Sequence, residues 1–250
     1  MKKRESSLVR QAQTGLMLSV LIFASPGCTP VQNFGEMSRL AKGKTDKMDT
    51  HGFTEIYEHL FYPLKSSPIK LLEIGVWKGG SLKVWCEYFP KAAVYGIDIY
   101  DTSELNSDRI KTFVADQAKR DQLRSFIDKY GGDFDILLDD GGHTMEQQQV
   151  SFGYLFKYLK AGGYYVIEDV HTSLVDRYPN FGGEKDEHNT TLTMINHFIR
   201  NGRIKSVYLT PEEQNFLENN IEYCNLFFRL NYAHSITCIF KRKAPLQTSQ

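Results

Sequence analysis

The sequence predicts an α/β fold built on a doubly wound, mostly parallel sheet with antiparallel strands at its C-terminal edge. Three observations predict it. Short apolar runs alternate five times with amphipathic or turn-rich stretches between residues 69 and 170, the pattern of β–α repeats. The connections are mostly long enough to hold a helix, which parallel neighbours require. The first run ends in a glycine-rich turn, and the later runs end in acids. Doubly wound sheets gather ligands just there, beyond the carboxyl ends of their strands.

Each element follows from local pattern. In HGFTEIYEHLFYPLK (51–65), Phe53, Ile56, Tyr57, Leu60 and Phe61 fall at helical spacing, and Pro68 ends that segment. IKLLEIGVW (69–77) is a short apolar run for a buried first strand. SLKVWCEYFP (81–90) is an amphipathic helix closed by Pro90. AVYGIDIYD (93–101) forms the second strand and KTFVADQAK (111–119) the third. DQLRSFIDKY (121–130) is a helix, FDILLDDGG (134–142) the fourth strand, and QVSFGYLFKYLKAGG (149–163) a helix stopped by a glycine pair. GYYVIEDV (163–170) is the fifth strand. Residues 172–189 are rich in turn formers and polar groups and are expected to form a lid. TLTMINHFIR (191–200) is expected to be helical. Three strand-like runs close the chain, at 205–210, 223–230 and 235–243.

The 250 residues suit one domain with terminal decorations: an N-terminal extension over 1–35, a single domain over 36–243 and a disordered tail over 244–250. The extension has a basic start, an apolar run and Gly27-Cys28, as a signal peptide with lipoprotein-like processing would. That run is too short for an ordinary membrane span, and a poorly ordered extension of a cytoplasmic protein is the plainer alternative. Thirty basic residues balance thirty acidic ones, so no overall field favours nucleic acid or an anionic membrane. Cys28, Cys86, Cys224 and Cys238 show no CxxC pairing, which points to reduced, inert thiols. A homo-oligomer is compatible with the long extension.

The ligand-bearing ends are the informative part. ILLDDGGH and VIEDVH each end an apolar run in paired acids followed by a histidine. Side by side, they would bring Asp139, Asp140, His143, Glu168, Asp169 and His171 to one rim. Carboxylates crowded there repel unless protonated or bridged by a hard cation. In the first turn, Gly75 and Gly79 allow close backbone approach, with the amides of the Ser81 helix behind. Trp77 stands where a dinucleotide loop needs glycine, which disfavours NAD or FAD. Asp98 is placed to hold ribose hydroxyls, Asp116 and Gln117 to reach an adenine edge, and Glu73 to organise the turn or face an amino group. Ribose, adenine and a small zwitterionic tail describe S-adenosylmethionine. Helix capping is the plain alternative for each acid taken singly.

LLEIGVWKGGSLKVW, GIDIYD, ADQ, LDDGGH and IEDVH, in this order, resemble the metal-dependent O-methyltransferases that modify macrolide sugars. The related cephalosporin hydroxylase and rhamnosyl O-methyltransferase group looks similar, and the match spans 44–172. The resemblance implies a class I, Rossmann-like methyltransferase fold, S-adenosylmethionine and Mg²⁺. Carried over by position, it implies His143 as catalytic base and Asp140, Glu168 and Asp169 as metal ligands, with Asp139 near the cofactor. The acceptor would be a small hydroxylated molecule, a sugar or natural product presenting a vicinal diol. Two alternatives stay open: a non-haem iron oxygenase using His143, His171 and one of the acids, and a non-catalytic cofactor-binding protein. No Asn/Asp-Pro-Pro-aromatic segment follows the fourth strand, which argues against methylation of nucleic-acid bases.

Overall fold

The computed structural model describes residues 35–182, 187–230 and 235–245. The signal-like segment, Cys28 and the last five residues lie outside these. Seven strands form one sheet in the order β3-β2-β1-β4-β5-β7-β6. They are β1 (Lys70–Ile74), β2 (Ala93–Asp98), β3 (Ile110–Val114), β4 (Phe134–Asp139), β5 (Leu159–Ile167), β6 (Ile221–Arg229) and β7 (Ser235–Arg242). The first five are parallel, and β7 runs antiparallel between β5 and β6. This is the expected doubly wound sheet, and its order reverses between β1 and β4.

Period-two alternation builds a core on each face. Leu72, Leu137 and Tyr165 pack with Phe126, Phe134 and Phe152 on one side. Leu71, Ile136, Leu138 and Val166 pack with Tyr57, Phe61 and Trp85 on the other. The crossover helices are α4 (Gly80–Tyr88), α5 (Arg120–Tyr130) and α6 (Met145–Leu155). Ahead of the sheet lie α1 (Glu36–Ala41), α2 (Asp46–Asp49) and α3 (Thr54–Phe61); α7 (Thr191–Asn201) and α8 (Pro211–Asn220) precede the last hairpin. The Glu58 carboxylate of α3 accepts the N–H groups of Gly35 and Glu36 at 2.6 and 3.0 Å, so it caps α1 with an acid at the positive end of the helix. No helix among the described residues is long and apolar enough to cross a membrane. Cys86, Cys224 and Cys238 are unpaired.

Three expectations are corrected. The helix expected over 149–163 ends at Leu155, and β5 begins at Leu159. The glycine pair therefore lies inside a strand. Gly162 has φ +79, and the pairing with β4 shifts register between Phe134 and Ile136, so the pair absorbs a bulge rather than stopping a helix. The run at 205–210 is not a strand, because Ser206 and Tyr208 turn to hydrogen-bond Gln149 and Arg120. Helix α8 was unforeseen, although Thr210 and Glu213 form a reciprocal capping box with Pro211 in the first turn. Removing that cap with Thr210→Ala should lower stability by about 1 kcal/mol, measured by urea unfolding.

Candidate functional site

A cavity of about 770 Å³ opens beyond the carboxyl ends of β1, β2 and β4, within the size range of small-molecule sites. Its floor is the turn after β1. Gly75 has φ +87, and a Cβ there would lie 2.0 Å from the carbonyl oxygen of Asp140, so only glycine lets this turn pass beneath the β4 loop. The opposite side of the turn is fixed by Asp98. One of its oxygens accepts the N–H groups of Val76 and Trp77 at 2.8 and 3.0 Å, and the other accepts that of Tyr100 at 3.0 Å. Three amide donors hold this carboxylate at the cavity wall. Trp77 and Tyr100, anchored on either side of Asp98, are 77% and 73% exposed at the mouth.

Asp140 and His143 border the cavity, and Asp169 joins them from the β5 turn. His143 Nε2 lies 3.4 Å from Asp169 Oδ2 and 3.9 Å from Asp140 Oδ1. The ligand atoms of Asp140, His143 and Asp169 all lie within 4.8 Å of one another, so the two acids could hold a small divalent cation with His143 beside it. His143 Nδ1 and Asp169 Oδ1 are buried without hydrogen-bond partners. Burial and the neighbouring Asp140 push the Asp169 carboxyl up to about 6, the signature of acids crowded together; a bound cation would reverse that direction. Both His143 and Asp169 have left-handed backbones, φ 58 and 53. The Thr172 hydroxyl lies 2.9 Å from the carbonyl oxygens of both residues and ties the two turns together.

The remaining expected residues are placed less uniformly. Gly75, Ser81, Asp98 and Gln117 line the cavity with Asp140 and His143. Glu73 does not line the cavity: it is fully buried and accepts from Trp85 Nε1 at 3.0 Å. Gly79, with φ +72, makes the bend into α4 beneath Leu105 and does not line the cavity. Asp116 makes a local turn, accepting the Ala118 N–H at 2.8 Å, and does not cap α5, whose N-cap is Lys119. Asp139 is fully buried and receives hydrogen bonds from Gln117 at 2.9 Å and from Ser151. Burial holds its carboxyl up at about 6 against those bonds. It braces the loop from beneath and does not touch the cavity.

Glu168 also departs from the expected ligand set. One oxygen accepts from the Tyr57 hydroxyl at 2.7 Å and the other from Lys47 Nζ at 3.0 Å. Lys47 itself escaped the sequence analysis. Its ammonium is 1% exposed and touches Asp140, Glu168 and, at 3.2 Å, Glu73. Burial alone would push its pKa down, but the three carboxylates overcome this and hold it well above the usual lysine value. His171 lies outside the metal-fitting group. Its Nδ1 accepts the Ile236 N–H at 3.4 Å, and burial, with His51 and His143 nearby, lowers its pKa to about 4. It is a neutral packing histidine 3.7 Å from Asp169 Oδ1, and it is not part of the group whose ligand atoms cluster. His51 joins the rim, with Nδ1 bonded to Ser235 and 3.7 Å from Asp169.

A glycine turn under an amide-held acid, at the strand-order reversal of a 3-2-1-4-5-7-6 sheet, defines a class I methyltransferase fold. Residues 72–170 match the family described as a methyltransferase domain. The chain is similar in sequence to proteins named as O-methyltransferases of macrolide and rhamnosyl sugars. It is 35% identical over 174 residues to the Streptomyces olivaceus 8-demethyl-8-(2-methoxy-alpha-L-rhamnosyl)-tetracenomycin-C 3'-O-methyltransferase, covering 66% of this chain and 44% of that protein. It is 39% identical over 143 residues to the Micromonospora griseorubida mycinamicin VI 2''-O-methyltransferase, covering 54% of this chain and 35% of that protein. The MycE methyltransferase in complex with Mg, SAH and mycinamycin VI superposes with a TM-score of 0.69 at 30% identity, over 86% of this chain and 56% of that one. This chain thus spans less than half the length of these curated relatives.

Replacing Gly75 by alanine should disrupt both the turn and the Asp140 carbonyl above it. A loss of about 2–4 kcal/mol is expected, read as a fall in the midpoint of thermal or urea unfolding.

Proposed function

We propose that the chain transfers a methyl group from S-adenosylmethionine to a hydroxyl of a vicinal diol on a sugar or secondary metabolite, with Mg²⁺ bound and His143 as general base. The observation that carries the proposal is the group Asp140, His143 and Asp169, set against a cavity whose far wall is the glycine turn and Asp98. The relatives' names, which specify sugar hydroxyls, support the same substrate class.

Gly75 and Ser81 would accommodate the cofactor along the turn, and Asp98 would hold its ribose. Its three amide donors leave a lone pair on Oδ1 for that purpose. Asp140 and Asp169 would hold the ion. When bound, the cofactor supplies an electrophilic methyl group and the ion a Lewis acid that acidifies a neighbouring hydroxyl. His143 Nε2, which faces the two acids, would receive the hydroxyl proton as the oxygen–methyl bond forms and the methyl–sulfur bond breaks. Asp169, 3.4 Å away, would then stabilise the imidazolium. Thr172 holds both turns, so the base and the ion's ligands keep one relative geometry.

Calorimetric titration with S-adenosylmethionine, with and without Mg²⁺, followed by a screen of diol-bearing acceptors, tests the proposal. No cofactor binding at millimolar concentration would overturn it. His143→Ala should leave the cofactor Kd unchanged while turnover falls about 10²–10⁴-fold; near-normal turnover would remove His143 from the base role. The chain has two tryptophans, and Trp85 is buried. Cofactor binding should therefore shift the emission of exposed Trp77 to shorter wavelength, and Trp77→Phe should abolish that shift.

A further inference from the structure

Lys47 is held at both ends. Thr45 caps the short helix α2 and accepts the Lys47 N–H, while the Lys47 carbonyl accepts the Phe53 N–H at 2.7 Å. Its side chain reaches inward to a place where the carboxylates of Glu73, Glu168 and Asp140 converge. Asp140 is shared: one oxygen serves Lys47, and the other faces His143 in the group that fits a divalent ion. Both Asp140 oxygens belong to one carboxylate, so a cation on the rim-facing oxygen meets the Lys47 ammonium across that group. Two cations cannot sit on the same carboxylates at low dielectric without strong mutual repulsion.

We propose that Lys47 is a tethered counter-cation that competes with the divalent ion for the Asp140 carboxylate, so that ion binding is an exchange in which the ammonium withdraws. Lys47 is a positioning residue, acting through the acids rather than on the substrate. Because Thr45, Asp46 and Asp49 around it line the cavity, the exchange links ion loading to the cavity wall. The proposal rests on the divalent-ion site proposed above.

Three measurements on the full chain test it. Calorimetric titration of Mg²⁺ should give Lys47→Met an affinity about tenfold or more tighter than wild type, since a competitor has been removed. A merely structural lysine would give the opposite result, because its loss would loosen the acids. Thermal melts of Lys47→Met in EDTA should fall below wild type, because three buried carboxylates lose their partner, and Mg²⁺ should raise the variant's midpoint more than that of wild type. In wild type, acylation with a lysine-reactive ester, read by mass spectrometry, should spare Lys47 in EDTA and modify it in Mg²⁺; this arm needs no variant to fold. Unchanged or weaker Mg²⁺ affinity in Lys47→Met, or a Lys47 that stays protected in Mg²⁺ at concentrations where calorimetry shows binding, would overturn the exchange. Absence of Mg²⁺ binding to both proteins would overturn the divalent-ion site itself, and the exchange with it.

Discussion

The buried ion cluster around Lys47 is the constraint on which the rest of the site depends. Removing an ammonium and several carboxylates from water carries a large desolvation penalty, which is recovered only if each charge meets a well-placed partner. Here the partners come from separated parts of the chain: Lys47 before the sheet, Glu73 on β1, Asp140 after β4 and Glu168 after β5. The cluster therefore fastens the segment carrying α2 across the carboxyl edge of the sheet. It also divides the acids by task. Glu73 and Glu168 face inward to Lys47, Trp85 and Tyr57, while Asp169 faces His143 and Asp140 faces both ways.

Strain is concentrated at the same edge. Among the described residues four non-glycine residues have positive φ, and three of them, Trp77, His143 and Asp169, surround the site. Such conformations persist only where neighbouring structure enforces them. The enforcing groups are visible: Asp98 holds the Trp77 amide, and Thr172 bridges the His143 and Asp169 carbonyls. The buried Asp139, joined to Gln117 and Ser151, braces the loop from below. The cavity wall is thus a set of short turns, each pinned by a side chain from a different strand end.

Much of this was legible in the sequence because it depends on local pattern. Alternating apolar runs gave the strands, and glycine and acids at their ends marked the carboxyl edge. Where the expectation failed, a distant contact had decided the matter. The run at 205–210 has strand composition, yet its polar groups are taken by Gln149 and Arg120. Gly162 and Gly163 look like a helix stop, yet the pairing of β5 with β4 draws them into a bulged strand. Asp116 and Asp98 are both acids that follow a strand, and nothing local separates the one that makes a turn from the one that faces the cavity.

The sequence by itself determined the doubly wound sheet, the glycine turn and the paired acids with their histidines, because periodicity and turn chemistry act over a few residues. Only the tertiary structure decided which acid has which partner. Lys47 lies in a polar, lysine-rich stretch, and its burial arises from contacts 93 and 121 residues away. The division of Asp140, Glu168 and Asp169 between a lysine and a metal-fitting group follows from that contact. Charge pairing across the sheet edge is a property of three-dimensional distance, which no local spacing in the chain encodes.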